Sequence, residues 1–378
     1  MKQRGPSNFK RQVSPGLAAV MVIAVLVVVQ YVWYVGLVKK PTTPMGQPKS
    51  GGAPPPANKE LLLHGKDYIV VDTIAGDLDP GNADGPGYKA RFDRPTGLAI
   101  DPAGVLIIAD SGNNSIRSMR PDGVVTTLAG NGTPGKVDGA ASNAQFKYPT
   151  GVCVGADGTI YVADTGNNAI RAIKAGQVTT IAVAGKGGIP NGAYSPVSIA
   201  FKSDNSHGGT LLVADAAGKA VWELQTGGAV VAKTVLSAAP TSISTNGDAI
   251  VCLPLAALLQ VGSVQTQNVD IAGSDELDDV KRRPRLSHPL NAMHLGTAVA
   301  AVDAAHTCVF LVKNGRAEVL AGLASSAGPA HDYKDGNGEA AFFNQPTGLA
   351  TDGKRVIYVA DTASCCIRRL TAPDFLFH

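Results

Sequence analysis

The chain has 378 residues, 44 of them glycine, and its apolar content is mostly Ala, Val, Ile and Leu, room for two average domains or one large all-β domain rich in strands and turns. The formal charge of +3 sits at the N-terminus: residues 1–49 carry seven basic side chains and no acidic one, leaving 26 basic against 30 acidic residues, a balance of −4. A mildly acidic body argues against nucleic-acid binding, which needs a basic face, and five cysteines with no C-x-x-C pair argue against a disulfide framework or a structural zinc site.

Residues 1–15 are a short basic segment. Gly16 to Val38, GLAAVMVIAVLVVVQYVWYVGLV, follows with Gln30 as its only strongly polar side chain. Twenty-three helical residues span ~34 Å, enough for a bilayer core, and Tyr31, Trp33 and Tyr34 sit where an interfacial aromatic belt would. A cleaved signal peptide would have a shorter apolar run followed by a small-x-small site, which is missing. The segment is expected to be an uncleaved signal-anchor. Lys2, Arg4, Lys10 and Arg11 before it, against Lys39 and Lys40 after it, place the N-terminus in the cytoplasm and the main domain outside. Residues 39–60 are Pro- and Gly-rich with almost no large apolar side chain, and read as a semi-extended stalk.

The remaining segment, 61–378, repeats itself. RFDRPTGLAIDPAGVLIIADSGNNSIRSM (91–119), QFKYPTGVCVGADGTIYVADTGNNAIRAI (145–173) and FFNQPTGLATDGKRVIYVADTASCCIRRL (342–370) are units one, two and six; a weaker copy at 194–224 is unit three, and degenerate copies at 239–261 and 287–312 are units four and five. Pro95, Pro149, Pro196, Pro240, Pro289 and Pro346 each open a short apolar strand, at spacings of 54, 47, 44, 49 and 57. Periods near 40–50 with several short strands per unit are the mark of propeller blades. Each unit reads as a Pro-led strand, a turn, a V-A-D strand, a G-N-N turn, a third strand and a fourth. Unit six stops after its third strand. The missing fourth appears ahead of unit one as YIVVDTIAG, Tyr68–Gly76, so the N-terminal strand should close the ring and remove an unpaired edge.

The motif A-x-F-x-x-P-x-G-L-A-x-D…Y-V-A-D-x-x-N-x-x-I-R, at Ala90–Arg117, Ala144–Arg171 and Ala341–Arg368, resembles the NHL-repeat family over residues 68–370. The resemblance implies an all-β, six-bladed β-propeller of NHL type, here preceded by a single transmembrane helix and a Pro-rich stalk. It also implies a scaffold that binds a protein partner or small ligand through one face of the disc. The competing reading is a metal-dependent lyase or hydrolase in the central channel, since propeller lyases and lactonases hold metal there.

The candidate binding face collects Arg94, the V-A-D aspartates Asp110, Asp164 and Asp361 with their third-strand partners Arg117, Arg171 and Arg368, the histidines His288 and His306, and Lys281, Arg282 and Arg283 of the charged loop Ser274–Arg285. The aspartates recur in nearly every unit, with Asp215 and Asp303 as further copies. They read foremost as architecture, accepting turn N–H bonds or pairing with arginine. No catalytic residue and no cofactor is assigned: zinc would need a convergent ligand set, and the Pro-led strands are mostly small or apolar, with His294 the exception. Calcium would need several oxygens from one loop, and the Asp-Gly pairs at Asp84, Asp138 and Asp335 read as turn formers. Phe92, Phe146 and Phe343 align as plugs between units. Of the adjacent pair Cys365–Cys366, Cys366 marks the start of a strand. Cys365 replaces a turn asparagine, and is expected to be the one thiol open to reagent.

Overall fold

The computed structural model describes residues 69–372, apart from 187, 190, 192–193, 204–207, 247, 254–256, 262–265, 270–288, 304–305, 314–315 and 323–332, all within the second of the chain's two units, Leu62–His378. The expected anchor at Gly16–Val38, the stalk and the charged loop Ser274–Arg285 lie outside the described residues. Among the described residues no helix is long and apolar enough to cross a membrane.

The strands form six antiparallel sheets. Unit one comprises Pro95–Ile100, Leu106–Asp110, Ser115–Met119 and Val124–Ala129; unit two Gly151–Val154, Ile160–Asp164, Ala169–Lys174 and Gln177–Val183; unit three Pro196–Lys202, Thr210–Asp215, Ala220–Gln225 and Val230–Val235. Unit four comprises Ser242–Asn246, Asp248–Leu253, Ala257–Val261 and Thr266–Val269, and unit five Pro289–Leu295, Ala298–Asp303, Cys308–Lys313 and Arg316–Ala321. Unit six has Pro346–Thr351, Val356–Asp361 and Cys366–Thr371, and its fourth strand is Val70–Gly76 from the other end of the segment, paired antiparallel to Cys366–Thr371. The first strands of successive units pack against one another all the way round, unit six against unit one included. This is a β-propeller, closed by the N-terminal strand as the repeat arithmetic requires. Two of the six prolines fall short of opening a strand: Pro149 and Pro240 precede strands that begin at Gly151 and Ser242.

The second strand of each sheet is buried on both faces. One hydrophobic cluster fills each junction between neighbouring units, for example Ile107, Ala109 and Ile116 of unit one against Phe146, Val152 and Val162 at unit two. That is why the second strands read as unbroken apolar runs rather than alternating ones. Phe92, Phe146 and Phe343 are fully buried in these junctions, each worth ~1.5–3 kcal/mol of burial. Gly97, Gly151 and Gly348 let the innermost strands approach: a Cβ at any of them would collide with the backbone of the next unit, at Thr150, Ser198 and Thr96 respectively.

All five cysteines are buried, Cys365 included. The expected accessible thiol is therefore corrected. Cys365 has the left-handed backbone (φ 52°) of its turn counterparts Asn114 and Asn168. From there its sulfur reaches across the unit junction and accepts the backbone N–H of Arg94, while burial pushes its pKa up to about 11.

Candidate functional site

Three of the six units share one buried construction. Arg117, Arg171 and Arg368 have fully buried side chains. Each donates through one terminal nitrogen to the V-A-D aspartate seven residues earlier, at 2.8, 2.8 and 2.9 Å, and through the other to Asp84, Asp138 or Asp335 at 2.6, 2.6 and 2.9 Å. Backbone carbonyls of the preceding loop take further bonds. Each guanidinium also lies over its junction phenylalanine, 5.0–5.2 Å from the ring centroid, a cation–π contact. The loop aspartates are thus more than turn formers. Asp84 and Asp138 each also accept the N–H and hydroxyl of Thr127 or Thr180 on the fourth strand, and Asp335 accepts the Thr73 hydroxyl. The loop is clasped across its own sheet.

The V-A-D carboxylates do not take the turn N–H expected of them in units one and two. One oxygen of Asp110 and Asp164 accepts the backbone N–H of Asp93 or Lys147, and the other the side-chain amide of Asn113 or Asn167. Burial pushes Asp110 and Asp361 up to about 6, although Asn113 and Arg117, or Arg368, pull them down. Burying both charges costs much of what their attraction returns, while removing one partner alone would strand the other. These six residues consequently present no surface, which corrects their place on the candidate binding face.

What the construction holds is the rim. Asp93, Lys147 and Asn344 are fixed at both backbone groups, the N–H by a V-A-D carboxylate and the C=O by the N–H of Gly112, Gly166 or Ala363. The residue that follows, just before the proline, is Arg94, Tyr148 or Gln345, with φ of 50, 48 and 55°. A left-handed conformation ahead of proline is disfavoured and persists only when its surroundings impose it. The surroundings do so across the junction: Asn114 of unit one accepts the Tyr148 N–H at 2.9 Å, as Cys365 of unit six accepts that of Arg94. The side chains so displayed differ from unit to unit. The Arg94 guanidinium lies 5.6 Å from the Tyr148 ring centroid, and Tyr148 is 40% exposed. Arg94 was legible as a candidate. Tyr148 was not, because its signal is a backbone angle.

Of the other expected face residues, His306 is part-exposed in unit five, its ring nitrogen 3.3 Å from the fully buried Asp303 carboxylate and its ring edge-on to Phe310. His288, Lys281, Arg282 and Arg283 lie outside the described residues.

The innermost strands of all six units line a central channel of about 610 Å³. Its titratable lining residues are Cys153, His294 and Asp352, and an oxygen of Asp352 accepts the N–H groups of Lys354, Arg355 and Val356. Among the described residues no group of three metal-ligating side chains converges.

Residues 92–117 and 146–173 match the NHL repeat, the segments that carry the Phe, Asp and Arg of the clasp in units one and two. The chain carries NHL repeats. NHL repeat-containing protein 2 of Bos taurus is 36% identical over 118 residues, a match spanning 29% of this chain and 16% of that protein. Among solved structures, an auxiliary nutrient binding protein from Bacteroides ovatus superposes with a TM-score of 0.61 at 15% identity, covering 81% of this chain and 77% of that one. Virginiamycin B lyase from Staphylococcus aureus does so with 0.52 at 14%, covering 81% and 100%. At these identities the structural likeness speaks to the fold, the β-propeller.

Proposed function

We propose that the chain is a six-bladed, membrane-anchored NHL-type propeller that serves as a non-enzymatic binding scaffold outside the cytoplasm, docking a protein partner on the rim built by units six, one and two. The observation that carries this is the set Arg94, Tyr148 and Gln345: one imposed backbone conformation, three different displayed side chains. A repeat that fixes the frame and varies what it displays is suited to recognition, since loops on rigid scaffolds carry binding and an Arg–aromatic pair is a favoured anchor. The apolar segment Gly16–Val38 and the charge before it support the anchor and its orientation.

A photo-crosslinking residue at position 148 of the full-length chain, in its native membranes, tests the face. A discrete crosslinked species lost on Arg94→Ala is expected; no crosslink, or one indifferent to Arg94, would sink the docking reading. Protease protection of the propeller in sealed vesicles tests its side of the membrane. The competing metal-dependent lyase or hydrolase rests on His294, and stoichiometric zinc or calcium that disappears in His294→Ala would replace the scaffold with an enzyme.

A further inference from the structure

The outer edges of the sheets are not finished alike. In units one, two and six a two-residue strand from the preceding loop, Gly85–Pro86, Gly139–Ala140 or Gly336–Asn337, pairs with the start of the outermost strand. Further along that strand, Asp84 and Asp138 accept the N–H groups of Thr127 and Thr180. The outermost strand of unit three, Val230–Val235, has Gly188 packed against Val230. Beyond it, residues 231–235 pair with no further strand among the described residues. Lys233 lies opposite Trp222, as Thr127 and Thr180 lie opposite Arg117 and Arg171. In an antiparallel ladder that register turns the Lys233 N–H out of the sheet as it does theirs, toward the place where units one and two put a carboxylate. The exposed side chains differ too. Units one and two show Thr126, Thr127, Gln177 and Thr179 on the outermost strand. Unit three shows Val231 and Val235, 56% and 73% exposed, with Lys233 between them. The Lys233 ammonium is held 4.5 Å from the Trp222 ring centroid.

We propose that this edge takes up an extended segment of a partner protein as a further strand, with an acidic side chain opposite Lys233 and apolar side chains over Val231 and Val235. An open sheet edge, with its row of unused backbone groups, is a template for strand addition. The chain's own clasp shows what such an edge accepts: a carboxylate on the outward N–H, followed by two extended residues. The Lys233 ammonium adds the attraction of opposite charge, which selects the partner. It also works against a second copy, since the antiparallel self-pairing that matches valine to valine sets Lys233 against Lys233, and like charges directly opposite are destabilising. The edge is separate from the rim of units six, one and two and does not depend on it.

Fluorescence anisotropy on the full-length chain in detergent tests the proposal. The probe is a labelled nonapeptide that alternates valine and serine and carries aspartate at its centre; its twin carries lysine there. The aspartate peptide is expected to bind about tenfold more tightly than the lysine peptide. Lys233→Glu should reverse that order, and Val231→Ser/Val235→Ser should weaken binding of the aspartate peptide. Arg94→Ala/Tyr148→Ala, which alters only the rim, should leave it unchanged. Each variant is first shown to melt cooperatively; should Lys233→Glu not fold, Lys233→Met is read in its place, with the two peptides brought level. No binding of the aspartate peptide, equal binding of the two, or a preference unchanged in a folded Lys233 variant overturns the proposal. So does self-association of the full chain, followed by sedimentation, that is lost in Val231→Ser/Val235→Ser, since the edge would then belong to a second copy.

Discussion

Units six, one and two differ from units three, four and five in how each deals with the same buried position. In the first group an arginine on the third strand pairs with the V-A-D aspartate and a loop aspartate. In unit three Trp222 stands there, and its indole N–H bonds the Asp215 carboxylate at 2.9 Å. In unit five the position is Phe310, and Asp303 turns to His306. In unit four both members are gone: strand pairing puts Leu253 at the aspartate position and Leu259 opposite Val251, where the arginine would be. In unit four charge and counter-charge are lost together, whereas in units three and five the buried carboxylate stays and the Trp222 indole or His306 stands in for the arginine, since a buried carboxylate needs a partner. The sheet survives each exchange, so the pair is not what makes the sheet. It makes the loop, and the described loops with the clasp are the ones that display Arg94, Tyr148 and Gln345.

The comparison can be broken at several points. Deleting residues 70–76 removes the fourth strand of unit six, with its ladder to Cys366–Thr371 and the Asp72–Arg369 ion pair. Calorimetry should then show cooperative melting lost or its midpoint lowered by more than any point change below; a truncated chain that melts like the parent would refute ring closure. Arg171→Ala leaves the buried Asp164 unpaired and should cost about 3–5 kcal/mol in denaturant titration. Asp164→Leu combined with Arg171→Leu copies unit four and should cost less than the single change. If the double variant is the worse, the pair is a stabilising element and the argument from unit four fails.

Trp222→Phe removes one bond to Asp215, which keeps the N–H groups of Ser195 and Gly218, so a loss of about 1–3 kcal/mol is expected, below that of Arg171→Ala. Alkylation of the native chain should label none of the five cysteines quickly, since burial raises the thiol of Cys365 and still more that of Cys366; prompt labelling of Cys365 would restore the expectation of an open turn thiol. The smallest effect concerns Asp157, whose hydrogen bond from Lys174 holds its carboxyl down at about 2. A depressed carboxylate contributes stability above its ordinary value near 4 that is lost as pH falls toward 2. Both partners are solvent-exposed, so the contribution is slight, and Lys174→Met should flatten the stability profile only in that window.

Much of this protein is written in its sequence. The repeat of Pro-led and V-A-D strands, the buried phenylalanines and the strand borrowed from the N-terminus are all legible, because burial on both faces and ring closure leave a periodic mark on residue type. Cys366 and Cys308 begin strands for the same reason, as small residues fitting a tight position. The tertiary structure alone decided the rest. That Asp84, Asp138 and Asp335 reach a buried arginine some 33 residues away, that Cys365 lies beneath Arg94, and that Arg94, Tyr148 and Gln345 share a left-handed backbone are facts of how units meet. Spacing along the chain records which residues a unit repeats; it does not record what a neighbouring unit places against them, and the rim is made at those junctions.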